Sequence, residues 1–109
     1  MFIEDILKRM KRKVMKVKKH PLKVQKYFIA AAGISRKGNC IEIVTNKPAC
    51  KPGNRLYHAE GSLILKHGRK LSVVYIARFG DSGEMLPIEP CEQCKAIADR
   101  LQIKIISLS

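Results

Sequence analysis

Two short segments constrain the fold of this chain more than any other feature: His58-Ala59-Glu60 and Pro90-Cys91-Glu92-Gln93-Cys94, with Cys91 following His58 by 33 positions. For His58, Cys91 and Cys94 to serve one metal ion, the starts of two segments far apart in sequence must meet at one place. The residue types suit zinc, whose catalytic sites use three protein ligands and keep a fourth position open for water. A Cys-x-x-Cys pair brings two thiolates to one ion with little strain, and a helix start at Cys91 favours their charged form. Glu60 is then left over as the general acid and base, standing beside the open position. Two other arrangements compete. A closed structural site would take Cys40 or Cys50 as fourth ligand, and a redox Cys-x-x-Cys would leave His58 and Glu60 without a role.

The rest of the chain reads as the scaffold for that meeting. Its 109 residues hold one domain, 1–109, with a modest core. Ile3, Ile6, Leu7, Met10, Val14 and Val17 fall within a stripe about 100° wide on a helix over 1–20. Glu4 and Asp5 at its start and Lys18 and Lys19 at its end suit the helix dipole, and Pro21 discourages continuation. A β-hairpin is expected over 27–45, with Arg36-Lys37-Gly38-Asn39 as its turn. A loop carrying Pro48, Pro52 and Gly53 leads to a helix over 57–66; Leu71 to Phe79 reads as a central strand, and 80–89 as a loop. A second metal-bearing helix over 91–101 and a strand from Ile103 to Leu108 complete the order αββαβαβ. Strand, helix, strand units favour parallel pairing of the later strands, which brings the two helix starts to one sheet edge. The expected class is therefore α/β, with a mixed sheet of about four strands.

Charge is the second strong signal. The net charge is +13, and residues 1–26 carry ten Lys or Arg against two acids, a net of +8. Lys8, Arg9, Lys11, Arg12, Lys13, Lys16, Lys18 and Lys19 surround the apolar stripe of the first helix and are the expected phosphate contacts. A plain solvated helix face is the competing reading. With 6% aromatic residues and no Trp, stacking on exposed rings is not advertised. No apolar run spans a membrane and no signal peptide is apparent, so a cytoplasmic protein with reduced thiols and no membrane partner is expected. Cys40 and Cys50 are expected to be structural, and His20 and His67 solvated.

The His-Ala-Glu and Pro-Cys-Glu-Gln-Cys motifs, the hairpin before them and the order of elements around them resemble the zinc-dependent cytidine deaminase superfamily. That superfamily includes nucleoside, deoxycytidylate, tRNA and polynucleotide deaminases. Ile88-Glu89-Pro90-Cys91 is similar to the form seen in the tRNA-adenosine and deoxycytidylate members. The resemblance implies a three-layer αβα deaminase-like domain, with Asn46 contacting the substrate's sugar or base and Ala59 contacting the base through its backbone. Members of the superfamily continue past the fourth strand into another helix and strand, whereas this sequence stops at Ser109. An uncovered sheet edge of that kind favours a homo-oligomer.

Together these readings set the expected function: a zinc deaminase that converts cytosine to uracil in a nucleic acid, by an activated water and proton transfer through Glu60. Adenine as the target base stays open. So do a deaminase of a free nucleotide such as deoxycytidylate, and a non-catalytic nucleic-acid-binding domain with structural zinc. Arg55, Tyr57, Asp81, Glu84 and Glu89 border the motifs without a role that the sequence assigns.

Overall fold

The computed structural model describes residues 2–18, 28–45, 59–80, 84–90 and 92–108, with Val17 and Lys18 described through their backbone alone. Among them run α1 (Phe2–Lys18), β1 (Phe28–Ser35), β2 (Cys40–Thr45), α2 (Ala59–His67), β3 (Leu71–Phe79), β4 (Met85–Leu86), α3 (Glu92–Arg100) and β5 (Lys104–Leu108). A single 3-10 turn, Gly68–Lys70, joins α2 to β3. β1 lies between β2 and β3, antiparallel to both; the other side of β3 takes β4 antiparallel and β5 parallel. The described sheet is thus mixed and five-stranded. The expected four-strand sheet missed β4, because two residues, Met85 and Leu86, are too short to show a strand periodicity inside a polar loop.

Alternation along the strands sorts the core into two halves. Phe28, Ala30, Ala32 and Ile34 of β1 pack with Ala77 and Phe79 of β3 beneath Ile6, Met10 and Val14 of α1. Ala31, Val74 and Ile76 point the other way, against Leu63 and Ile64 of α2 and Ala98 of α3. One helix on one face and two on the other make three layers. Ile3 departs from the expected stripe: it is 41% exposed, whereas Ile6, Met10 and Val14 of the later turns are buried against the sheet. Lys13 also departs from the free basic coat. Its Nζ donates to the Ile43 carbonyl of β2 at 2.6 Å, which fastens α1 to that strand.

The run Ala30-Ala31-Ala32-Gly33 explains how helices approach both faces of one strand so closely. A Cβ built on Gly33 would stand 2.8 Å from the Cδ2 of Leu71 and 3.5 Å from that of Leu63, both fully buried. Neither leucine has solvent to swing into. Gly33→Val is accordingly expected to destabilise the fold by about 1–3 kcal/mol, read as a lower urea midpoint with an unchanged slope.

The hairpin turn follows its sequence. Gly38 N–H donates to the Ser35 carbonyl at 2.9 Å, and Ser35 N–H donates to the Asn39 carbonyl at 2.8 Å. This three-residue loop needs a left-handed residue at its end, which Gly38 supplies with φ of 89°.

Candidate active site

Strand direction decides which residues share an edge. β2 and β5 both run parallel to β3, so the ends of all three strands point the same way. α2 leads back into β3 and α3 into β5, so both helices run against those strands and begin at that same edge. Their far ends meet Arg36, whose Nε donates to the Arg69 carbonyl just past α2 and whose Nη2 donates to the Leu101 carbonyl just past α3. α2 and α3 are nine residues each and lie against one another. At 1.5 Å per residue each is about 13 Å long, so their first turns stand at one level.

Those first turns carry Glu60 and Cys94. Glu60 is the one buried charged side chain among the described residues, at 5% exposure, and Cys94 is fully buried. Removing a carboxylate from water costs several kcal/mol in order of magnitude unless it is paired or hydrogen-bonded. Ala59, beside Glu60, is also buried at the start of α2. His58 and Cys91 lie immediately before α2 and α3 and outside the described residues, as do Asn46, Cys50, Arg55, Tyr57 and Asp81. Thr45, the last residue of β2 and the one before Asn46 in sequence, ends at the same sheet edge. Among the described residues no three metal-binding side chains cluster.

Cys40 is a half-buried free thiol packed against the core beneath α1. That places it on the opposite face of the sheet from α3 and Cys94, away from a fourth-ligand position. Cys94, a buried thiol, and Glu60, a buried carboxylate, thus put one side chain of a zinc-ligand type and one of an acid-base type on the first turns of adjoining helices.

The expected basic coat is exposed over Lys8, Arg9, Lys11, Arg12 and Lys16; Lys13 is exposed too, though fastened to β2. Lys8, Lys11, Arg12 and Lys16 line a hollow of about 450 Å³ together with Met15. Lys18 is placed by its backbone at the end of α1, and Lys19 and His20 lie outside the described residues.

His67 is not a solvated bystander. Its Nε2 sits 2.8 Å from Oε1 of Glu42 on β2, while Lys66 Nζ donates to Oε2 of the same carboxylate at 3.1 Å. The two residues are 25 apart in sequence, so nothing local in the chain announced this pairing. The hydrogen bond from His67, and then the bond and charge of Lys66, hold the Glu42 carboxyl below its ordinary value of 4.5 against an opposing effect of burial. A carboxyl depressed in the folded state stabilises the fold fully above 4.5, and that contribution is lost as pH falls through the lowered folded value. Glu42→Gln is therefore expected to cost about 0.5–1 kcal/mol at pH 7 and to flatten the acid limb of a melting-temperature profile. A profile unchanged by the substitution would show that the pair contributes nothing.

No protein-family model and no curated protein sequence matches the chain.

Proposed function

We propose that this chain is a zinc-dependent hydrolytic deaminase with a cytidine-deaminase-like fold, acting on cytosine in single-stranded nucleic acid. The observation that carries the reading is the pair of buried side chains, Glu60 and Cys94, on the first turns of two side-by-side helices that start at one edge of the sheet. Each is preceded by the remaining residues of the set, His58 before Glu60 and Cys91 before Cys94.

A zinc ion held by His58, Cys91 and Cys94 would make a water nucleophilic near neutral pH. Glu60 does the proton work. Its carboxylate takes a proton from the attacking water as the new C–O bond forms at C4 of cytosine, and passes it to the ring nitrogen. The second proton of that water, now on the new C4 hydroxyl, is carried by the same carboxyl to the exocyclic amine, so that the C4 carbonyl forms as the C–N bond breaks and ammonia leaves. Burial keeps bulk water from exchanging with that carboxyl and strengthens its field at the reacting carbon. Asn46 and the backbone of Ala59 would orient the nucleoside. The thiolate ligands suit a reducing compartment such as the cytoplasm. No helix among the described residues is long and apolar enough to cross a membrane.

The cations of α1 support a polyanionic substrate over a free nucleoside, since each phosphate contact gains affinity by releasing counterions. The deciding experiment incubates zinc-loaded protein with single-stranded DNA, single-stranded RNA, tRNA and cytidine nucleotides, reading ammonia together with C-to-U and A-to-I changes. Conversion in a strand is the expected result. Conversion of deoxycytidylate alone would make this a nucleotide enzyme, and no conversion of any substrate would leave a binding domain.

A further inference from the structure

At the far ends of α2 and α3, opposite the edge that carries Glu60 and Cys94, three arginines line one cleft. Arg36 comes from the β1–β2 turn, Arg69 from the 3-10 turn after α2, and Arg100 from the end of α3, with Leu101 and Gln102 completing a cleft of about 360 Å³. We infer that this cleft is a second phosphate-binding site, which holds a backbone phosphate of a single-stranded nucleic acid while a base occupies the site at the helix starts. The strand assignment rests on the deaminase reading; the cleft's affinity for phosphate does not.

Three features support the inference. First, the cleft is preorganised. Arg36 is fixed by bonds of 2.9 Å to the Arg69 carbonyl and 3.3 Å to the Leu101 carbonyl, and its own N–H donates to the Lys70 carbonyl at 3.3 Å. The floor beneath Arg100 is equally set: Ile103 N–H donates to Ala98 and Gln102 N–H to Asp99, with Gln102 at φ of 59°, a helix-ending turn that normally takes glycine. A guanidinium already held in place loses little freedom on binding an anion.

Second, no described carboxylate compensates the charge. Neither Arg69 nor Arg100 is in an ion pair with a described residue; Glu42, which reaches the end of α2, is taken by Lys66 and His67. Asp99 adjoins Arg100 in sequence, but successive residues on a helix do not face each other. The negative ends of the two helices account for one cation apiece. They do not account for a third, nor for three converging on one hollow. Guanidinium forks match phosphate oxygens in geometry, which makes an anion of that class the fitting occupant.

Third, the spacing suits a polymer. The cleft lies a full helix length, about 13 Å, from the level of Glu60. A single nucleotide bound at the helix starts has no use for a phosphate site that far away, whereas a strand running on across the surface does.

The test measures binding of a labelled single-stranded oligonucleotide by anisotropy at several salt concentrations. Arg69→Ala/Arg100→Ala is expected to bind about tenfold more weakly at moderate salt, and to flatten the plot of log affinity against log salt by about 0.7, the contribution of the one phosphate no longer neutralised. Arg100→Ala should weaken binding more than Lys95→Ala, which removes the same charge from an exposed position on the same helix. An unchanged slope in the double variant, or equal weakening by the two single variants, overturns the site. Inorganic pyrophosphate separates the sources: a parent protein that binds pyrophosphate through these arginines but binds no strand overturns the strand assignment. Because the readout is binding, failure of deamination would count against the chemistry at Glu60 and not against this cleft.

Discussion

Glu60→Gln is expected to lower deamination by about two to four orders of magnitude while zinc content and melting temperature stay at the parental level. The amide fills the same buried space as the carboxylate, so packing around the first turn of α2 is preserved. What it removes is the group that accepts a proton from water and returns one to the departing amine. A melting temperature held at the parental level separates a loss of proton transfer from a loss of folded protein. Turnover within a few fold of the parent would eliminate Glu60 as the proton carrier and with it the proposed mechanism.

The second large effect is on metal. Cys94→Ser keeps a small polar side chain in the fully buried position but exchanges a thiolate for a poor zinc ligand. Zinc measured per chain should fall from about one to a small fraction. A chelator should lower the parental melting temperature by on the order of 10 °C and the variant's hardly at all, because only a state that binds the ion gains from it. Full zinc occupancy in Cys94→Ser would mean that the Cys-x-x-Cys pair serves something other than this metal.

Much of the scaffold was legible because its elements carry strong periods. The stripe from Ile6 to Val14 set α1, and Leu71 to Phe79 set β3 to the residue. The Arg36-Lys37-Gly38-Asn39 turn set the hairpin, and the helix between two strands set the parallel pairing of β3 with β5. At the candidate site, residue types and spacing pointed to Glu60 and Cys94, and both are buried on the first turns of their helices. What escaped depended on partners distant in sequence. Glu42 with His67, Lys13 with Ile43, and Arg36 with Arg69 and Leu101 are separated by 25, 30, 33 and 65 residues, and no local pattern encodes such pairs. β4 escaped for a different reason: it is a strand by virtue of its neighbour β3 and has no periodicity of its own.

The bonds of Arg36 also bear on the order in which the molecule assembles. The β1–β2 turn closes a short loop, whereas the bonds from Arg36 to the Arg69 and Leu101 carbonyls span 33 and 65 residues and are expected to form later, since contacts of long sequence separation must first overcome the entropy of closing large loops. Interactions that form this late restrain unfolding more than they accelerate folding. A phosphate resting on the arginine cleft would bind the finished native state and no earlier species, so its effect would be felt as a longer lifetime of the folded chain.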